Sequence, residues 1–236
     1  MSYNVIIKGD LMKYVLVTGG AVGLGREIVK VFASNKYNVI IGYLNSQSDA
    51  VNLKEELSKY NVSIVVKKID ITCTDDVKSI FEQYDIDILI NNAAFAQDNY
   101  IEDKTFDEFM KVVKVNLGGT YLMCKYAKNV KTIINISSKD GIDTYSPISL
   151  DYSSSKAGII NLSKNLSLYY KSKKIVCVCP GWINTESVMN MNPNYLKSEM
   201  ERIGQKKLLD KTYVANRIYD IINSDIISGS VVEIDE

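Results

Sequence analysis

The chain has 236 residues, of which 46% are hydrophobic and 24% charged, values typical of a globular protein with room for one large α/β domain. Its 28 Lys plus Arg balance its 28 Asp plus Glu. The zero net charge argues against nucleic acid or an anionic membrane surface as the partner. No apolar run approaches the roughly 18 residues of a membrane span, and residues 1–11 lack the pattern of a secretion signal.

The chain contains no histidine, which removes Ser-His-Asp and Cys-His catalysis and most zinc sites. We therefore predict no metal site. Proton transfer near neutral pH must then use a Tyr, Lys, Cys or carboxylate of shifted pKa. The four cysteines form no C-x-x-C pair, and we expect reduced, buried thiols in a cytoplasmic protein.

Apolar runs of strand length alternate with stretches of helical period. The predicted strands are 14–18, 38–43, 62–69, 86–90, 132–136, 175–179 and 231–234. The predicted helices run from the glycine-rich turn to about 35, then over 48–59, 74–84, 105–128 and 150–170, followed by a helix-rich stretch over 184–223. This alternation predicts a single-domain, Rossmann-type doubly wound parallel sheet of about seven strands with helices on both faces, over residues 12–236. Residues 1–11 are predicted to be an N-terminal extension.

A glycine-rich segment, T-G-x-x-x-G-x-G over residues 18–25, follows the first predicted strand and opens the first helix. Glycine lets the backbone approach a phosphate closely, and the N–H groups of a helix N-terminus favour an anion. This position in an α/β chain predicts the pyrophosphate site of a dinucleotide. The predicted contacts are Thr18, Gly19, Val22, Gly23, Leu24 and Gly25.

The second predicted strand ends at Tyr43, and Asn45 and Ser46 follow it. A cofactor with a free ribose 2′-OH usually meets a carboxylate here, and a 2′-phosphate usually meets an Arg. Neither is present. Because a missing carboxylate avoids repulsion of a phosphate, the sequence favours NADP(H) over NAD(H) and leaves NAD(H) open. Tyr43, Asn45 and Ser46 are predicted cofactor contacts.

Tyr152 and Lys156 stand four residues apart in a predicted helix and therefore share one face. A cation beside a phenol favours the phenolate, so the pKa of Tyr152 is predicted to fall. A Tyr tuned in this way can pass a proton near neutral pH. Taken alone, each residue is more typical of a structural part, Tyr152 as a packed aromatic ring and Lys156 as a solvated charge.

Seven motifs in order resemble the short-chain dehydrogenase/reductase family from residue 12 to the end of the chain. Besides the glycine turn they are D-I at 70–71, N-N-A-A at 91–94, the Asn of V-N-L at 116, the second Ser of S-S at 138, Y-x-x-x-K at 152–156, and P-G-x-x-x-T at 180–185. The similarity is greatest to the group of 3-oxoacyl-acyl-carrier-protein reductases and their relatives.

The resemblance implies hydride transfer between a nicotinamide and a carbonyl or alcohol carbon. It implies that Tyr152 donates the proton, that Lys156 lowers the pKa of Tyr152 and holds the nicotinamide ribose, that Ser138 binds the substrate oxygen, and that Asn116 positions a water. The further cofactor contacts that it implies are Asp70, Ile71, Asn92, Ala93, Ala94, Pro180, Gly181, Ile183 and Thr185.

The resemblance also implies a small-molecule or acyl-thioester carbonyl substrate, a substrate lid at about 186–205, and a homodimer or homotetramer. Reduction of a 3-oxoacyl thioester or similar small ketone is the preferred reaction. The alternatives are oxidation of a sugar alcohol or sterol-like hydroxyl, and a cofactor-binding regulator without turnover. Candidate residues of the substrate pocket are Met189, Met191, Tyr195, Leu196, Met200, Tyr145, Ile148 and Trp182.

Overall fold

The computed structural model describes residues 13–142 and 146–235. Within these ranges one sheet contains β1 (Tyr14–Val17), β2 (Asn38–Tyr43), β3 (Ile64–Lys68), β4 (Ile86–Asn91), β5 (Thr132–Ile136), β6 (Lys174–Pro180) and β7 (Val231–Ile234). All are parallel, in the order β3-β2-β1-β4-β5-β6-β7. The order reverses between β1 and β4, which opens a crevice at the carboxyl ends of the strands. The predicted seven-stranded, doubly wound parallel sheet is confirmed.

Helices cover both faces of this sheet. They are α1 (Gly23–Ser34), α2 (Gln47–Leu57), α3 (Thr74–Gln83), α4 (Phe106–Val113), α5 (Thr120–Tyr126), α6 (Leu150–Tyr169), α7 (Glu186–Met189), α8 (Pro193–Arg202) and α9 (Lys211–Asn223). Successive strand residues point to opposite faces, so Val15 and Val17 pack with α1, α2 and α9, whereas Leu16 packs with α3 and α5. Among the described helices, none is long and apolar enough to cross a membrane.

The long helix predicted over 105–128 is interrupted. The structure has α4, then a π-helical segment, Lys114–Gly119, and then α5. This segment contains two glycines, which are poor helix formers, and Asn116, whose side chain bonds to backbone outside the helix. Such wide turns are common at functional sites. Elsewhere the predicted elements differ from the structure by a few residues at their ends, and residues 1–11 lie outside the described part.

Candidate active site

A cavity of about 710 Å³ lies at the carboxyl ends of β1, β2, β4, β5 and β6, a size within the usual range of ligand sites. Its wall contains all but one of the residues that the sequence predicts to be catalytic or to bind the cofactor. These are Thr18, Gly19, Val22, Gly23, Leu24, Gly25, Tyr43, Asn45, Ser46, Asp70, Ile71, Asn92, Ala93, Ala94, Ser138, Tyr152, Lys156, Pro180, Gly181, Ile183 and Thr185. The remaining predicted residue, Asn116, lies behind the wall.

The glycine turn brings bare backbone to one end of the cavity. Gly19 and Gly23 have positive φ angles of 62° and 55°. A Cβ on Gly25 would overlap the carbonyl oxygen of Gly19, so no other residue fits there. Val22 precedes α1 without a side-chain capping bond, which leaves the first N–H groups of α1 available to an anion. This geometry fits a dinucleotide pyrophosphate.

Thr18 and Asn92 make hydrogen bonds within the protein that the sequence motifs did not indicate. The Thr18 hydroxyl accepts hydrogen bonds from the backbone N–H groups of Asn92 and Ala93 (3.0 and 3.1 Å). The Asn92 amide donates to the carbonyl oxygens of Thr18 and Gly19 (3.0 and 3.2 Å). Both residues line the cavity, but their side chains hold the glycine turn against the segment after β4.

The cavity wall at the end of β2 is formed by residues 42–46, none of which carries a charge. Across from it, Asp70 accepts hydrogen bonds from the Thr72 backbone N–H and hydroxyl through Oδ1, both at 2.8 Å. The second carboxylate oxygen, Oδ2, makes neither of these bonds. Asp70 therefore keeps an acceptor that suits the amino group of an adenine.

Tyr152 and Lys156 share one face of α6, as the sequence predicts. The Lys156 ammonium lies 5.3 Å from the centre of the Tyr152 ring and donates to the carbonyl oxygen of Ile136 at 2.9 Å. Only 2% of Lys156 is exposed, and burial lowers its pKa to about 8. Buried lysines are rare, and ionisable groups with shifted pKa values are most common at functional sites. Lys156 therefore has the properties of a functional residue.

The pKa of Tyr152 moves opposite to the sequence prediction. Burial raises the pKa above its ordinary value, the charges of Asp140 and Asp98 add to the rise, and a hydrogen bond with Ser138 opposes it. Burial disfavours the charged phenolate, and the Lys156 cation does not offset this effect. Tyr152 is therefore protonated at neutral pH, the state that a proton donor needs.

Ser138 is placed by contacts that the sequence motifs do not reveal. It precedes a 3₁₀ helix, Lys139–Gly141, which packs against α6. A Cβ on Gly141 would lie 2.6 Å from the carbonyl carbon of Lys156, so only glycine permits this approach. The Ser137 hydroxyl donates to the carbonyl oxygen of Lys156 at 2.8 Å. Ser137 and Gly141 thus fix Ser138 relative to Lys156.

Asn116 is fully buried and bonded to protein. Its Oδ1 accepts from the Phe95 backbone N–H (2.7 Å), and its Nδ2 donates to the Phe95 carbonyl oxygen and the Ser155 hydroxyl (2.9 and 3.0 Å). It therefore joins the segment after β4 to α6 one residue before Lys156. That Asn116 positions a water stays a prediction.

The first turn of α6 is held by a buried ion pair. Lys104 Nζ lies 2.6 Å from Asp151 Oδ2, with both side chains at least 95% buried. Asp151 Oδ1 also accepts the backbone N–H of Tyr152 at 2.8 Å. Removing one partner of such a pair leaves an uncompensated charge, so Lys104 and Asp151 both maintain the position of Tyr152.

The predicted lid region forms α7 and α8 beside the other end of the cavity. At this end the cavity wall includes Val188, Met191, Glu199 and Ile203 from the lid region, and Trp182 from the segment before it. Of the apolar pocket residues predicted from sequence, Met191 and Trp182 are in the wall. Met189, Tyr195, Leu196, Met200 and Ile148 are not among the wall residues, and Tyr145 lies outside the described part.

Polar contacts dock α8 onto the body of the protein. The Tyr195 hydroxyl donates to Asp98 Oδ2 at 3.2 Å, and Ser149 donates to Asp98 Oδ1 at 2.6 Å. Further along α8, Arg202 Nη2 donates to Asp140 Oδ1 at 2.9 Å. Asp98, Asp140 and Glu199 all line the cavity, so its substrate end has three carboxylates that the sequence motifs did not indicate.

Comparison with known proteins identifies relatives over most of the chain. The family model for short chain dehydrogenases matches residues 13–196. The 3-oxoacyl-(acyl-carrier-protein) reductase of Chlamydia muridarum is 31% identical over 239 residues, which cover 94% of this chain and 96% of the relative.

Solved structures share the fold. A short chain dehydrogenase from Burkholderia cenocepacia in complex with NADP superposes with a TM-score of 0.86 at 22% identity, covering 95% of this chain and 97% of that one. A 3-oxoacyl-(acyl-carrier-protein) reductase from Brucella melitensis with bound NAD gives a TM-score of 0.82 at 25% identity, covering 95% and 90%. The chain belongs to the short chain dehydrogenase family and is an oxidoreductase that depends on a nicotinamide cofactor.

Proposed function

We propose that the protein reduces a ketone to an alcohol, with a 3-oxoacyl thioester or similar small ketone as its substrate. The observation that carries the proposal is the placement of Tyr152 in the cavity wall, with Ser138 in the same wall and the Lys156 ammonium 5.3 Å from the centre of the Tyr152 ring. The sequence similarity to a 3-oxoacyl-(acyl-carrier-protein) reductase supports the choice of substrate.

The proposed chemistry assigns one task to each side chain. A bound reduced nicotinamide supplies the hydride for the carbonyl carbon. Tyr152 donates the proton of its hydroxyl to the carbonyl oxygen as general acid. Ser138 donates a hydrogen bond to the same oxygen, where negative charge develops. Lys156 favours the phenolate left after proton donation and holds the ribose hydroxyls.

A substrate panel followed by nicotinamide absorbance tests the proposal, with NADPH or NADH added to the carbonyl compounds and NADP⁺ or NAD⁺ added to the alcohols. It contains the N-acetylcysteamine thioester of 3-oxobutanoic acid, simple ketones, sugar alcohols and sterols. We expect the thioester and small ketones to consume reduced cofactor. Consumption of oxidised cofactor with the alcohols alone would establish the opposite reaction, and no turnover with any compound would favour a cofactor-binding regulator.

One observation favours oxidation of a sugar alcohol as the second candidate. Carboxylates of Asp98, Asp140 and Glu199 line the substrate end of the cavity. Carboxylates accept hydrogen bonds from hydroxyl groups and repel anions, so this wall suits a hydroxylated ligand. The panel separates the two candidates because the sugar alcohols react only with oxidised cofactor.

We propose NADP(H) as the preferred cofactor. The end of β2 presents no carboxylate that would repel a 2′-phosphate, and Asn45 and Ser46 offer hydrogen bonds to it. One structural neighbour holds NADP and another holds NAD, so the preference depends on this chain's own residues.

Ser46→Asp is expected to move the preference toward NAD(H). The new carboxylate would repel a 2′-phosphate and accept a hydrogen bond from a 2′-OH, and Asp is as good an N-cap for α2 as Ser. We expect the ratio of kcat/KM for NADPH over that for NADH to fall by about tenfold or more, since one repulsive contact is worth about 1.4 kcal/mol. Ser46→Asn, of the same shape without the charge, is the control. An unchanged ratio in Ser46→Asp contradicts the placement of the phosphate.

The rate is expected to fall as the pH rises above about 8. Lys156 is charged below its lowered pKa of about 8 and loses its charge above it. Because kcat/KM reports the ionisation of the free enzyme, kcat/KM for NADPH should decline about tenfold per pH unit on the alkaline side. The raised pKa of Tyr152 keeps that group protonated over the same range. In Lys156→Ala the alkaline decline should disappear; its persistence would assign it to another group.

We propose a homodimer or homotetramer in the cytoplasm. Large apolar side chains are exposed on α4, α5 and α6, including Phe106 (76% exposed), Tyr121 (46%) and Leu168 (65%), and exposed apolar patches mark interfaces. All four cysteines are free thiols, which suits a reducing compartment. Sedimentation analysis tests the assembly, and a monomer at micromolar concentration would contradict it.

A further inference from the structure

Three charged side chains connect α8 to the segment that carries Ser138. They are Asp140, Glu199 and Arg202, which we call the α8 charge cluster. Arg202 Nη2 lies 2.9 Å from Asp140 Oδ1 and 2.7 Å from Glu199 Oε2, and Arg202 Nε lies 3.0 Å from Glu199 Oε2. The Arg202 side chain is 19% exposed and those of Asp140 and Glu199 are 14% and 9% exposed, so the contacts are protected from water.

Asp140 also contacts Ser138 directly. The Ser138 hydroxyl accepts the backbone N–H of Asp140 at 3.1 Å and lies 3.4 Å from Asp140 Oδ2, to which it donates. A serine hydroxyl has a single proton to donate. The carboxylate of Asp140 therefore competes with a substrate oxygen for that proton.

Arg202 controls the strength of this competition. A guanidinium bonded to a carboxylate neutralises much of its charge, and a hydrogen bond to a neutralised carboxylate is weaker. The same pairing reduces the influence of Asp140 on Tyr152, whose pKa the Asp140 charge helps to raise. Arg202 and Glu199 are both on α8, whereas Asp140 follows β5, so the pairing exists only while α8 is docked.

We propose that Arg202 is a positioning residue for the reaction: docked α8 sets its guanidinium against Asp140, and this frees the Ser138 hydroxyl to bind the substrate oxygen. The inference rests on the proposed carbonyl reduction. It assigns to α8 a function beyond covering the substrate, because the helix would prepare the residues that act on the carbonyl.

A double-mutant cycle separates this function from simple anchoring of α8. Arg202→Met removes the charge that offsets Asp140, so we expect kcat for the N-acetylcysteamine thioester of 3-oxobutanoic acid to fall about tenfold or more. Asp140→Asn removes the competing charge and should be clearly faster than Arg202→Met, whereas loss of a mere anchoring contact would slow both variants equally. Because the two residues act through one contact, their effects should not add. The double variant should return to within about threefold of Asp140→Asn.

The controls lie on the same helix and in the same assay. Lys197 is on α8, is 77% exposed and lies 3.9 Å from Glu201; Lys197→Met should leave kcat unchanged. The dissociation constant for NADPH should stay within about twofold in all variants, since the cluster lies at the substrate end of the cavity. If circular dichroism shows that Arg202→Met is unfolded, Arg202→Gln with and without Asp140→Asn gives the same comparison.

The outcomes are distinct. Recovery of kcat in the double variant supports the proposal. A double variant as slow as Arg202→Met, or slower, would mean that Arg202 only anchors α8, which overturns it. Wild-type protein without turnover of the thioester would instead refute the proposed function on which the inference rests.

Discussion

Tyr152→Phe is expected to lower kcat for ketone reduction by about 10³-fold, within the range that a positioned acid contributes. Phenylalanine keeps the ring and its packing on α6 but has no proton to donate to the carbonyl oxygen. The hydroxyl is not needed to place the glycine turn or the end of β2, so the dissociation constant for NADPH should change by less than about twofold. Steady-state kinetics and quenching of protein fluorescence by NADPH measure the two quantities.

A second tyrosine provides the control for Tyr152→Phe. Tyr213 is on α9, partly exposed and outside the cavity wall, and Tyr213→Phe should retain wild-type kcat. Turnover of Tyr152→Phe above about a third of the wild-type rate would exclude Tyr152 as the proton donor. A parallel loss of NADPH binding would show instead that the substitution had damaged the cofactor site.

Lys156→Ala is expected to impair both binding and rate. The ammonium is nearly buried at the cavity wall and is held there by the Ile136 carbonyl oxygen. Its loss removes a charge-assisted contact with the ribose, which should weaken NADPH binding by about tenfold. It also removes the cation that favours the phenolate of Tyr152, so kcat should fall by about 10²-fold or more.

The matched control for Lys156→Ala is Lys164→Ala, two helical turns further along α6 at an exposed position. It should leave both constants unchanged. If Lys156→Ala lowers kcat without weakening NADPH binding, Lys156 does not contact the ribose of the cofactor. If it changes neither quantity, Lys156 has no part in the reaction.

Much of the fold follows from local sequence patterns. Strand-length runs such as V-I-I-G-Y after Asn38 are buried on both faces of the sheet and so are continuously apolar, which makes them recognisable without a structure. The glycine turn was also predictable from a local pattern. Gly25 makes a close backbone contact that a Cβ would prevent, so the residue type itself marks the turn. The interruption of the helix at Asn116 could not be predicted in this way, because Asn116 bonds to Phe95, a residue that lies outside the helix.

The candidate site was predictable where a residue acts through its own chemistry. Tyr152, Lys156 and Ser138 could be chosen from motif and residue type, and the structure brings all three to the cavity wall. The direction in which the pKa of Tyr152 shifts could not be predicted from sequence. The shift depends on burial and on the charge of Asp140 more than on Lys156, four residues away.

Positioning residues were the hardest to identify from sequence. Arg202 reaches Asp140 across 62 positions of the chain, and no periodic pattern connects them. Gly141 is one of 13 glycines, and only the approach of α6 explains why a side chain cannot occupy its place. Ion pairs and close contacts between distant segments are properties of the folded chain, so they emerge only from its geometry.

The most direct test of the account follows the hydride itself. Wild-type protein is incubated with NADPH deuterated at the transferring position of the nicotinamide and with the N-acetylcysteamine thioester of 3-oxobutanoic acid, and the product is analysed by mass spectrometry. We predict a 3-hydroxy thioester that carries a single deuterium on its carbinol carbon, at a rate that Tyr152→Phe lowers by about 10³-fold. An alcohol without deuterium, or equal rates in the two proteins, would contradict it.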